Sequence, residues 1–248
     1  MTPRFVICSP AYNASPFIEK SLQSALGQVY DQFRILHLDD ASTDDSKARA
    51  REVVGRDGRV TFLENPCRYG ATRNYWFLAQ HCDPDEVLVV LDADDWLAHP
   101  GVLRRLAGLY LVDKVWMTYG QFRYDEVSGG GIGMAALIPP ENHTRRAGWR
   151  STHLKTCYAG MIQMIPQSAL LVPGTSQFFP VSGDLALFYP VLEMAGPRRA
   201  RFVSEVLYIY NLQNPINDVK VQPKEQKSWA AFIEAQLPFP RLEVLPWE

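Results

Sequence analysis

Five short apolar runs, separated by amphipathic segments of helix length, fill the first half of this 248-residue chain. That alternation restricts the fold more than any other feature. Strands joined by helical crossovers can pair in parallel, and a parallel sheet needs helices on its faces to bury it. The runs fall at 4–8, 33–38, 60–63, 86–91 and 115–122, and the intervening helices at 17–26, 46–54, 71–81 and 102–111, each bounded by Pro, Gly, Asp or Ser. The expected class is therefore α/β, a Rossmann-like, mostly parallel sheet flanked by helices. Beyond Tyr124 the pattern changes. Ser128-Gly129-Gly130-Gly131-Ile132-Gly133 reads as a mobile loop or hairpin tip, a candidate lid. Helices are expected at 151–158 and 185–195, a strand at 201–210 and a tail helix at 224–236.

With 47% hydrophobic and 21% charged residues, the chain can build one sizeable core with a C-terminal extension. A net charge of -2 lacks the clustered basic surplus of nucleic-acid binders. The N-terminal apolar stretch is too short for a signal segment, and no run reaches the roughly 18 apolar residues of a membrane span. The expectation is a soluble, cytoplasmic protein. Cys8, Cys67, Cys82 and Cys157 form no C-x-x-C pair, and the histidines form no i, i+4 pair, so disulfides and zinc are not expected. Neither a G-x-S-x-G elbow nor a P-loop occurs.

The chain's best chemical groups lie just past the ends of its expected strands, where open α/β sheets bind ligands. The first strand leads into Ser9-Pro10-Ala11-Tyr12-Asn13, the second into Asp39-Asp40-Ala41-Ser42-Thr43-Asp44, and the third into the segment 65–73. The fourth run, Val87-Leu88-Val89-Val90-Leu91, ends in Asp92-Ala93-Asp94-Asp95. Three carboxylates crowded at a buried strand end are costly unless a cation joins them. Each cluster also has a purely structural reading: Pro10 and Asn13 as a turn, the Asp/Ser runs as helix caps, Asp95 and Asp184 as caps, Arg73 as a surface ion pair. The turn reading must, however, be invoked four separate times.

In their order, Ser9 to Asn13, Leu38 to Asp44, Gly70-Ala71-Thr72-Arg73-Asn74 and Asp92 to Asp95 resemble the motifs of family 2 glycosyltransferases of the GT-A fold. The resemblance implies an inverting, nucleotide-sugar-dependent transferase that moves a sugar to an acceptor hydroxyl, with Mn²⁺ or Mg²⁺ on the diphosphate and a UDP-sugar as the first candidate donor. It places Pro10, Tyr12, Asp40 and Arg73 around the nucleotide, with Asp39 beside them, Asp92 near the ribose or the metal, and Asp94 as the main metal ligand. Asp184 of Gly183-Asp184-Leu185 stands where relatives carry the catalytic base. Residues 1–210 would form the GT-A domain, with 1–124 as its nucleotide-sugar half and 125–210 as its acceptor half; 211–248 would be an extension. In the subgroup this chain resembles, a His follows Asn217-Asp218, whereas Val219 stands here, which leaves a third protein ligand open.

Two other classes compete. A nucleotidyltransferase or phosphohydrolase also uses Asp and magnesium, but would carry a Gly-rich loop or an Asp-x-Asp nucleophile after the first strand, where this chain has Pro10-Ala11-Tyr12. A non-catalytic nucleotide-sugar-binding module would keep the pocket without turnover. The acceptor, whether glycan, lipid-linked or protein, is not named by the sequence. The tail aromatics Trp229, Phe232, Phe239 and Trp247 are expected to pack back on the domain, with peripheral membrane contact as the alternative.

Overall fold

The computed structural model describes residues 2–133, 135, 145, 148–216 and 223–247. Within them one eight-stranded sheet runs in the order β3-β2-β1-β4-β7-β6-β8-β5. Its parallel half is β1(Phe5–Ala11), β2(Phe33–Asp39), β3(Val60–Glu64) and β4(Val87–Val90). The helices between them are α1(Ile18–Leu26), α2(Ser46–Val54) and α3(Ala71–Ala79). Every residue of β1 and β4 is buried, as expected of strands covered on both faces. Alternation along them divides the interior: Val6, Cys8, Leu88 and Val90 face one core, while Phe5, Ile7, Val87 and Val89 face the other. Helix α1 buries Ile18, Leu22 and Ala25 at helical spacing.

The mixed sheet and flanking helices bear out the expected fold class, and most elements agree with the sequence to within a few residues. One segment does not. The expected helix at 151–158 does not form: the segment bends at 153–154 and ends in β7(Thr156–Tyr158), inserted antiparallel between β4 and β6(Met117–Tyr124). Thr156 and Cys157 are buried there, and Val90 N donates to Lys155 O at 3.1 Å. The pairing is with strands about 40 and about 70 residues away in sequence, so local helix propensity is overridden. A two-residue strand, β5(Trp96–Leu97), pairs with β8(Ala200–Tyr210) at the sheet edge and has no signal in the sequence. Helix α4(Val102–Gly108) continues as a π-helical turn over Leu109–Asp113.

Beyond β6 the glycine run closes a hairpin: Tyr124 N donates to Gly131 O and Gly133 N to Phe122 O, each at 2.8 Å. The short α5(Ala159–Gln163), the long α6(Gly183–Arg199) and α7(Pro223–Glu234) complete the chain. The tail returns to the domain. Trp229, Phe232, Phe239 and Trp247 are half-buried against the larger core, and Phe239 N donates to Glu193 Oε2 at 2.9 Å. Among the described residues no helix is long and apolar enough to cross a membrane.

Candidate functional site

Strands β2 and β3 lie on one side of β1 and β4 on the other, so the chain changes direction at β1, and a crevice opens beyond the carboxyl ends of β1 and β4. A cleft of about 290 Å³ occupies it. Its lining includes Pro10, Tyr12, Asp40, Asp92, Asp94 and Asp184, six of the eight residues singled out in the sequence. Asp39 and Arg73 are not in the lining.

The loops after β1 and β2 are zipped together through Asn13. This residue adopts φ 48°, receives Thr43 N on Oδ1 at 2.8 Å, and donates its own N–H to Ser42 Oγ at 3.1 Å. Asp39, buried, turns away and accepts Ser42 N at 3.1 Å, which is a turn-forming role. Asp40 instead organises the next wall: its Oδ1 accepts Asn65 Nδ2 at 2.7 Å and Tyr69 N at 2.9 Å, and its Oδ2 accepts Gly70 N at 2.8 Å.

Arg73 acts behind that wall. Its guanidinium lies between the rings of Tyr69 and Phe77, 4.2 and 4.4 Å from their centroids, and donates to Asn65 Oδ1 at 2.9 Å. The arginine that lines the cleft is Arg68, stacked 4.0 Å from the ring centroid of Tyr12. Both arginines flank the same glycine, and only the direction of the loop distinguishes them.

At the end of β4 the three carboxylates part company. Asp95 is fully engaged inside: Oδ2 accepts Tyr208 OH at 2.6 Å and Oδ1 accepts Asn211 N at 2.7 Å. This lock, rather than a helix cap, is its structural role. Burial, then the charges of Asp94 and Asp92, push its carboxyl well above the usual range. Asp92, half-buried, accepts Tyr75 OH at 2.7 Å. Burial raises its pKa, opposed by that hydrogen bond and by Lys155. Asp94, also half-buried, accepts Asn214 Nδ2 at 2.8 Å. Asn217, Asp218 and Val219 lie outside the described residues.

Asp184 is presented by the first turn of α6. Ser182 takes φ 58°, and Gly183 packs so closely on α3 that a Cβ there would collide with Thr72 Oγ1. Thr72 is itself held by donating to Phe179 O at 2.8 Å. Asp184 Oδ1 accepts Leu185 N at 3.0 Å, and Oδ2 accepts Lys155 Nζ at 3.1 Å. Lys155 and His153 both line the cleft and carry no motif in the sequence; both come from the segment read there as helix. The His153 ring stacks on Tyr208 at 4.6 Å, and burial, then Lys155, hold its pKa well below the usual value.

The lining holds Asp40, Asp92, Asp94, Asp95 and Asp184 against the cations Arg68 and Lys155. Such a surplus of hard oxygen donors fits Mn²⁺ or Mg²⁺ better than a soft metal. Among the described residues no three His, Cys, Asp or Glu side chains are arranged to hold an ion by themselves. Asp94 and Asp92 are the cleft carboxylates that could hold such a cation, provided its other ligands came from phosphate and water, as such ions prefer.

Comparison with known proteins shows the family and the fold. The model of glycosyl transferase family 2 matches residues 6–169. An uncharacterized glycosyltransferase of Haemophilus influenzae is 28% identical over 132 residues, covering 52% of this chain and 51% of that protein. The UDP-Glc:alpha-D-GlcNAc-diphosphoundecaprenol beta-1,3-glucosyltransferase WfgD of Escherichia coli is 27% identical over 175 residues, covering 69% of this chain and 63% of that one. The chain thus spans only about half to two thirds of the length of these curated relatives. Among solved structures, S. aureus TarS 1-349 in complex with UDP-GlcNAc superposes with a TM-score of 0.69 at 13% identity, over 93% of this chain and 65% of that one. Glucosyl-3-phosphoglycerate synthase from Mycobacterium tuberculosis, in complex with Mn²⁺, UDP and glucosyl-3-phosphoglycerate, gives 0.63 at 15% identity, over 95% and 81%. These likenesses show a shared fold.

Proposed function

The chain belongs to glycosyl transferase family 2, and from that premise we propose that it transfers a sugar from a nucleoside-diphosphate sugar to an acceptor hydroxyl with inversion at the anomeric carbon. The observation that carries this reading is the convergence of Tyr12, Asp40, the Asp92/Asp94 pair and Asp184 on one cleft at the β1/β4 crossover. UDP is the favoured nucleotide, because the names of WfgD, TarS and the mycobacterial synthase each pair those proteins with it.

In this reading residues 1–124 bind the donor and 125–210 the acceptor, while the 211–248 extension lends Asn214 to the acidic corner. Tyr12 offers a ring face for the base beside Pro10, and Asp40 shapes the pocket by holding the 65–70 loop. Asp39 and Arg73 support those loops from behind. Asp92 and Asp94 hold the divalent ion. When bound, that ion supplies Lewis acidity to the leaving diphosphate. Asp184 takes the acceptor's proton as the hydroxyl oxygen bonds to the anomeric carbon and the bond to the diphosphate oxygen breaks.

Calorimetric titration with UDP, GDP, CDP and dTDP, with and without Mn²⁺, followed by transfer assays on Asp184→Asn, tests the reading. The expected result is metal-dependent binding of UDP and loss of transfer with donor binding retained. Nucleotide binding without transfer or donor hydrolysis would favour a binding module. Unchanged turnover in Asp184→Asn would remove it as the base.

A further inference from the structure

We propose that Lys155 is the positioning residue of Asp184: its ammonium fixes the carboxylate toward the cleft and supplies the counter-charge that keeps it there. The role in turnover rests on the reading of Asp184 as base; the pairing itself does not.

The two partners are unequally buried. The Lys155 side chain is 1% exposed and that of Asp184 is 41% exposed. A hydrated carboxylate can do without a partner, whereas an ammonium stripped of water cannot. The rings of Trp149 and Phe188 face the ammonium, each centroid 5.5 Å from Nζ, and give it only secondary support. A methionine of similar length would fill this apolar channel without any desolvation cost. Stability therefore does not account for a lysine at this position.

Its effect on Asp184 does. Leu185 N holds Oδ1 and Lys155 Nζ holds Oδ2, so both carboxylate oxygens are tied and the side chain is turned into one orientation. The lysine arrives directly before β7, which is anchored between β4 and β6 beside the strand whose end carries Asp92, and its charge also acts favourably on Asp92. One buried cation thus links the acidic corner to the residue at the start of α6. For a group that must meet an acceptor hydroxyl in line, loss of such orientation costs about 100-fold in rate.

The test uses Lys155→Met, Lys155→Arg, Asp184→Asn and the Met/Asn double variant. In urea unfolding without donor, Lys155→Met should unfold at or above the wild-type midpoint and Asp184→Asn below it, and the double variant should recover the Lys155→Met midpoint. In transfer from the donor whose nucleotide binds in calorimetry, Lys155→Met should lose about 100-fold in kcat with donor KM changed less than about threefold, and Lys155→Arg should restore part of it. A Lys155→Met protein less stable than wild type, additive midpoints in the double variant, or full turnover in Lys155→Met would each overturn the proposal. Absence of transfer in the wild-type protein with every donor counts against the proposed function, and the unfolding cycle then still decides the pairing.

Discussion

Asn214 donates its amide to Asp94 Oδ2 at 2.8 Å across 120 positions of sequence. Asn211, three residues earlier, donates its side-chain amide to Asp94 O at 3.0 Å and its backbone N–H to Asp95 Oδ1 at 2.7 Å. The chain leaving β8 therefore clamps the acidic turn after β4. Side chains that orient a metal ligand usually matter to affinity by 10- to 100-fold. Asn214→Ala is expected to weaken Mn²⁺-dependent UDP binding about 10-fold, and Asp94→Asn to abolish the metal-dependent part. Calorimetry with and without chelator measures both. UDP binding that ignores chelator in the wild-type protein would contradict the role given to Asp94.

Gly183 is held against Thr72 with no room for a Cβ. Gly183→Ala must push the start of α6 away from α3 and carry Asp184 with it. Overpacking of this kind costs about 1–3 kcal/mol, while the displaced carboxylate is expected to lower kcat by a larger factor than the stability loss alone explains. Thermal melts and transfer rates on the same preparation check this. Wild-type kcat in a well-folded Gly183→Ala protein would show that the close approach does not position Asp184.

His37 on β2 is buried, and burial, opposed by the backbone of Ser9, lowers its pKa from 6.5 to about 4. In the unfolded chain the ring takes up a proton as pH falls through 6.5, whereas in the folded protein it resists until about 4. Stability from this group is therefore complete above pH 6.5, is lost between 6.5 and 4, and changes no further below. The loss amounts to about 3 kcal/mol. Urea midpoints measured from pH 7 to 4 should fall less steeply in His37→Leu than in the wild type; parallel curves would refute the assignment.

Arg73 reaches Asp40 through Asn65, whose Nδ2 donates to Asp40 Oδ1 at 2.7 Å. Arg73→Ala is expected to lower stability by about 1–3 kcal/mol and nucleotide affinity along with it. Lysine should not rescue it, because it lacks the planar group that stacks between Tyr69 and Phe77. Arg68→Met, on an exposed side chain, should leave stability within about 0.5 kcal/mol while changing UDP affinity. The reverse pattern in melts and titrations would exchange the two roles.

The sequence by itself determined the layered architecture and the strand ends at which the cleft forms. Apolar runs and amphipathic spacing are local properties, and each polar cluster follows its strand directly in the chain. Pro10, Tyr12, Asp40, Asp92 and Asp94 stand in those clusters, and the family resemblance gave them roles; Asp184 follows none of those strands and was singled out by the resemblance alone. What only the tertiary structure decided is where partners distant in the chain meet. The 151–158 segment is not a helix because its end, Thr156–Tyr158, pairs with β4 and β6, and that pairing brings Lys155 to Asp184. The division among Asp92, Asp94 and Asp95, alike in type and spacing, was set by Tyr75, Tyr208, Asn211 and Asn214, three of which arrive more than a hundred residues later. Arg68, to which the sequence assigned no role, lines the cleft while Arg73 does not, for the same reason: a guanidinium's target depends on which way a folded loop turns, and neighbouring residue types do not encode that direction.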